Sequence, residues 1–83
     1  MHNGRMTCRD EILAVARKLC RERTEGTFTT QEIVAAMRER GTRHLDTTIR
    51  RHVATEMCSN AVGPGAGKYQ DLERVGRGLF RLL

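Results

Sequence analysis

The run Phe28-Thr29-Thr30-Gln31-Glu32 constrains this chain more than any other stretch of it. Thr29 and Glu32 have the spacing of a capping box. The threonine hydroxyl accepts from the backbone three residues on, and the glutamate reaches back to the threonine's own amide. A helix must therefore begin here. Ile33, Val34, Ala36 and Met37 supply its apolar stripe, and Gly41 offers the left-handed residue that ends it. The spacing predicts a helix from Thr30 to Arg40, with Phe28 placed just before the cap to staple onto Ile33.

Helical patterns flank this one on both sides. Upstream, Thr7 with Asp10 forms a second cap of the same kind. Ile12, Leu13, Ala16, Leu19 and Cys20 share one face, which predicts a helix from Cys8 to Arg23. Downstream, the turn Gly41-Thr42-Arg43-His44 leads into Leu45, Ile49, Val53 and Met57. Projected as a helix, these four make a narrow apolar stripe. Thr47, Arg51, Ala54 and Thr55 point the other way, with Thr48 and Arg50 on the flanks, and this outer face carries no acid. His52 beside the stripe reads as a satisfied, half-buried histidine.

After Met57 the helical pattern stops. Gly63-Pro64-Gly65-Ala66-Gly67-Lys68 invites comparison with a P-loop, but the glycine spacing is one short and Tyr69 stands where a magnesium-binding hydroxyl belongs. A connector is the expectation. Tyr69 to Val75 and Leu79 to Leu83 then flank Gly76-Arg77-Gly78, the pattern of a β-hairpin with Arg77 at its tip. An isolated hairpin is marginal, so it must pack on the helices, with Thr27–Thr29 available as a third strand. The expected core joins Leu13, Ala16, Leu19, Ile33, Met37, Ile49, Val53, Phe80 and Leu82.

Composition narrows the class. Eighty-three residues carry 15 Lys and Arg against 10 Asp and Glu, a net charge of +5, so one small basic domain is expected over residues 1–83, with residues 1–6 a flexible tail. No apolar run is long enough to span a membrane, and no apolar segment follows the basic N-terminus as a secretory signal would require. Cys8, Cys20 and Cys58 are odd in number and widely spaced, which suits reduced thiols in a cytoplasm. His44, His52 and Cys58 lack the tight ligand pair that zinc sites use, so no metal and no cofactor is expected. No carboxylate pair, Ser-His or Cys-His arrangement points to an enzyme.

The runs Phe28 to Val34, Thr48 to Val53, Met57-Cys58-Ser59-Asn60-Ala61 and Leu72 to Leu82 together resemble a family of small, mostly uncharacterised bacterial winged helix-turn-helix domains. Some resemble this chain as free-standing proteins, and others sit beside nuclease or restriction-type domains. The resemblance covers Thr7 to Leu83. It implies an α+β winged helix-turn-helix: three helices and a C-terminal hairpin wing that binds DNA.

The two lines agree on a mechanism. The third helix would dock in the major groove of double-stranded DNA, as a transcription regulator or targeting module of a cytoplasmic, nucleoid-associated protein. Arg43, Thr47, Thr48, Arg50, Arg51, Thr55, Lys68 and Arg77 are the expected DNA contacts, with Arg51 best aimed at a guanine and amides at the start of the helix favouring a phosphate. Asn60 is either a further DNA contact or a helix cap. A homodimer or a nuclease partner is left open. The alternative is a protein-interaction adaptor or inhibitor that sets the same basic face on an acidic partner and offers its hairpin edge to another strand.

Overall fold

The computed structural model describes residues 7–83; the expected tail over residues 1–6 lies outside them. Three helices and one three-stranded antiparallel sheet follow in the order α1 (Cys8–Arg21), β1 (Thr27–Thr29), α2 (Thr30–Glu39), α3 (Asp46–Arg51) with a π-helical continuation (His52–Glu56), β2 (Leu72–Gly76) and β3 (Leu79–Leu82). The sheet order is β1-β3-β2. This is an α+β arrangement compatible with a winged helix.

Both capping boxes form. Thr7 caps α1 with Asp10, and Thr29 caps α2 with Glu32. Helix α1 stops at Arg21, two residues short of the expected end, with Glu22 as its cap. Gly41 takes φ of 77° after α2, where a side chain would be strained.

The second box has a measurable consequence. Arg23 donates to the Glu32 carboxylate, which also accepts from the Thr29 amide. The Arg23 guanidinium first, helped by the Thr29 amide, holds the Glu32 carboxyl at about 2, against an ordinary 4.5. A depressed carboxyl stabilises the fold above its unfolded pKa and loses that contribution as pH falls through the folded one. Glu32→Gln should therefore lower the melting temperature at pH 7. The gap from wild type should close as pH falls from 4.5 towards about 2 in a series of thermal melts. The pair is partly exposed, so the effect should be modest.

The third helix departs from expectation in two ways. Leu45 was expected in the apolar stripe, yet it is 68% exposed. It is the extended N-cap residue of α3, outside the helix, and so does not follow the helical projection. Ile49, Val53 and Met57 are all fully buried, although residues four apart drift by about 40° per step around an α-helix. The turn beginning at His52 is wider: the Met57 amide donates to the His52 carbonyl, five residues back, at 2.9 Å. This π turn keeps the three apolar side chains on one face. His52 is half-buried as expected, its Nδ1 lying 3.0 Å from the Thr48 carbonyl and its Nε2 3.6 Å from Glu56.

The sheet closes the core. Phe28 pairs with Phe80 across β1 and β3, so the short Thr27–Thr29 segment is the third strand of the hairpin sheet. Ala16, Ile33, Met37, Ile49, Val53 and Phe80 are buried as expected, while Leu13, Leu19 and Leu82 pack half-buried at the margin. Cys8, Ile12, Val15, Phe28, Val34, Met57, Cys58 and Leu72 complete the core. The first hairpin strand starts at Leu72 and not at Tyr69. The Tyr69 and Asp71 amides instead donate to the Glu56 and Met57 carbonyls, at 2.8 and 2.9 Å.

Candidate nucleic-acid interface

The outer face of the third helix consists of Thr47, Arg50, Arg51 and Ala54, all exposed and spaced to lie on one side. Thr48 and Thr55 are half-buried beside it. An acid lies at its start. Asp46 opens α3, where a carboxylate favours the helix dipole, and Arg38 of α2 holds it through Nε at 2.9 Å. Arg38 also donates to the His44 carbonyl at 2.6 Å, so one side chain clamps the turn between α2 and α3. The start of α3 therefore already carries a negative group, contrary to the expectation of a phosphate there.

The loop before β2 is more than a connector. Its Gly67 amide donates to the Thr55 carbonyl at 2.9 Å, and the Leu72 amide to Met57 at 2.8 Å. With the Tyr69 and Asp71 bonds, the loop satisfies carbonyls that the end of the third helix would leave orphaned. Those amides are engaged inward and do not form a phosphate cradle. Tyr69 lies between two cations: the Arg9 guanidinium at 4.3 Å from its ring centre and the Lys68 ammonium at 5.3 Å. Arg9 also grips the Asp71 carboxylate with two hydrogen bonds of 2.7 and 2.9 Å, tying α1 to the loop. Lys68 is thereby presented at the C-terminal end of the third helix.

Asn60 does not cap the helix. Its amide donates to the Arg74 carbonyl and accepts from the Arg74 amide, both at 3.0 Å, and it accepts from the Cys58 thiol at 3.1 Å. It thus stands in for a neighbouring strand along β2. The Ser59 amide does the same for the Leu72 carbonyl at 2.7 Å. On the opposite edge, Arg23 donates to the Thr27 carbonyl at 3.1 Å and Glu32 accepts from the Thr29 amide at 2.8 Å. Both edges of the sheet are closed by these groups, so the hairpin edge expected to take up another strand is not open.

The cations differ in what holds them. Arg9, Arg23, Arg38 and Arg81 are each paired with a carboxylate. Arg43, Arg51 and Arg77 are exposed and make no hydrogen bond or ion pair among the described residues. They lie respectively in the turn before the third helix, on that helix, and at the tip of the hairpin. Arg17, Lys18 and Arg21 of α1 form a second exposed group without a hydrogen bond or ion pair among the described residues. Arg50 is bound to a neutral partner, Gln31.

Burial, and then the Glu11 and Glu56 carboxylates, push the Cys8 thiol up, which keeps it protonated. Cys58 is buried, and Cys20 donates to the Gly26 carbonyl at 3.3 Å. Among the described residues no group of three or more His, Cys, Asp or Glu side chains is placed to hold a metal ion. No described helix is long and apolar enough to cross a membrane.

The chain belongs to the family described as a domain of unknown function, DUF7669, whose profile matches residues 8–82. No curated protein matches it, and no solved structure does.

Proposed function

We propose that the chain is a winged helix-turn-helix domain that binds duplex DNA, with the third helix in the major groove and the Arg77 turn of the hairpin on the backbone. The observation that carries this reading is the division of the cations. Carboxylates hold Arg9, Arg23, Arg38 and Arg81, whereas Arg43, Arg51 and Arg77 stand exposed along the helix and wing with no hydrogen bond or ion pair among the described residues; Arg17, Lys18 and Arg21 of α1 share that state but lie on a different helix. Three further features support it. The sheet order β1-β3-β2 suits a winged helix. The outer face of the helix offers threonine hydroxyls and methyls beside two arginines. Lys68, braced on Tyr69, adds a cation at the far end of the same helix. Asn60 drops out of the interface, because its amide already serves β2.

The same basic face set on an acidic protein is the competing use, and binding can separate the two. Fluorescence anisotropy on a random duplex and on polyglutamate should show clear preference for the duplex. Arg77→Ala should weaken all duplexes alike and flatten the slope of log affinity against log salt by about one. Equal affinity for polyglutamate, or an unchanged slope in Arg77→Ala, would favour the acidic partner.

A further inference from the structure

We infer that Gln31 is a positioning residue for base recognition: it holds Arg50 so that Arg50, and not Arg51, reads a guanine. The inference rests on the DNA reading above and deepens it. Gln31 lies in the first turn of α2 and Arg50 near the end of α3, so the pair spans the helix-turn-helix from one helix to the other. Arg50 Nη2 donates to Gln31 Oε1 at 2.5 Å, and both side chains belong to exposed residues.

The chemistry of the partner matters. Carboxylates hold Arg9, Arg23, Arg38 and Arg81 and cancel their charge. An amide oxygen orients a guanidinium and leaves its full charge available. Asp46 sits one turn before Arg50 and could have drawn it away, but Arg38 holds that carboxylate. A guanidinium has five N–H donors in a fixed fork, so one bond to Gln31 leaves enough for the paired O6 and N7 acceptors of guanine. Bracing also removes rotamer freedom before binding, which lowers the cost of a geometrically demanding contact. Arg51 has no such brace among the described residues. An unrestrained arginine suits a phosphate, which accepts a cation over a wide range of approach.

The test is site selection from a randomised duplex library, followed by anisotropy at several salt concentrations, with melting temperature recorded for each variant. Wild type should prefer guanine at one position by about 5- to 150-fold. Gln31→Met should keep the melting temperature, the affinity for random duplex and the salt slope, yet lose most of that preference. Arg50→Lys should lose it as well, since an ammonium has no fork. Arg51→Ala should weaken every duplex and keep the preference. A Gln31→Met variant with unaltered base preference would overturn the inference and leave the DNA reading intact, as would a preference that Arg51→Ala abolishes or a wild type that prefers no base pair. Failure of wild type to bind any duplex would overturn both together.

Discussion

Phe80→Ala is expected to lower the melting temperature by roughly 15–30 °C. Phe80 is 2% exposed on the central strand, opposite Phe28 of β1 and Arg74 of β2. Truncating a buried phenylalanine costs about 3–5 kcal/mol, from lost transfer free energy and the cavity left behind. A domain of this length has a total stability of roughly 4–12 kcal/mol, so the loss is a large share of it. Phe80→Leu, which retains most of the volume, should cost far less. Thermal melts followed by circular dichroism check both. A melting temperature for Phe80→Ala within a degree or two of wild type would show that the sheet is not packed through this side chain.

A fourfold charge removal should have the largest effect on binding. Arg43, Arg51, Lys68 and Arg77 all lie on the proposed interface, and none is held by a carboxylate. Replacing all four with glutamine should flatten the salt slope by about 3–4, since each phosphate contact contributes roughly 0.9. At 0.1 M salt that corresponds to an affinity roughly 1,000- to 10,000-fold weaker, if the contacts act independently and affinity extrapolated to 1 M is unchanged. The fold should be unaffected, because none of the four side chains bridges elements of the core. Replacing Arg17, Lys18 and Arg21 of α1 with glutamine removes nearly as much charge from elsewhere on the surface. If binding depends on where the charge lies, that variant should bind nearly as wild type. Equal losses in the two variants would mean that net charge alone drives association.

The parts of the fold visible in the sequence are those set by local chemistry. Two capping boxes and Gly41 placed the first two helices to within two residues, because each cap is a contact between residues three apart. The third strand could also be anticipated, since a lone hairpin needs a partner and Thr27–Thr29 was at hand. The π turn was not visible. A four-residue apolar repeat is close enough to an α-helical period to pass for one, and only the burial of Ile49, Val53 and Met57 together reveals the wider turn. Leu45 was misplaced for a related reason: a capping residue is adjacent in sequence but stands outside the helical screw.

The candidate site divides in the same way. Net charge and the run of residues on the third helix pointed to Arg50, Arg51 and Arg77. Which cations are neutralised depends on pairs eight to 62 residues apart, such as Arg38 with Asp46 and Arg9 with Asp71, and spacing says nothing of those. Gln31 carries no such signal in the sequence, because its role appears only when α2 and α3 are set side by side. Asn60 has the chemistry of a capping residue but is used elsewhere. Its amide does pair with a backbone, but that backbone belongs to a strand 14 residues further along the chain.

The most direct test of DNA binding is the salt dependence of wild-type affinity for a random duplex. With four to six phosphate contacts, log affinity should fall against log salt with a slope of about −4 to −5 between 50 and 300 mM. No binding at the lowest salt, or a slope near zero, would contradict the proposal that this basic helix and hairpin form a DNA-binding surface.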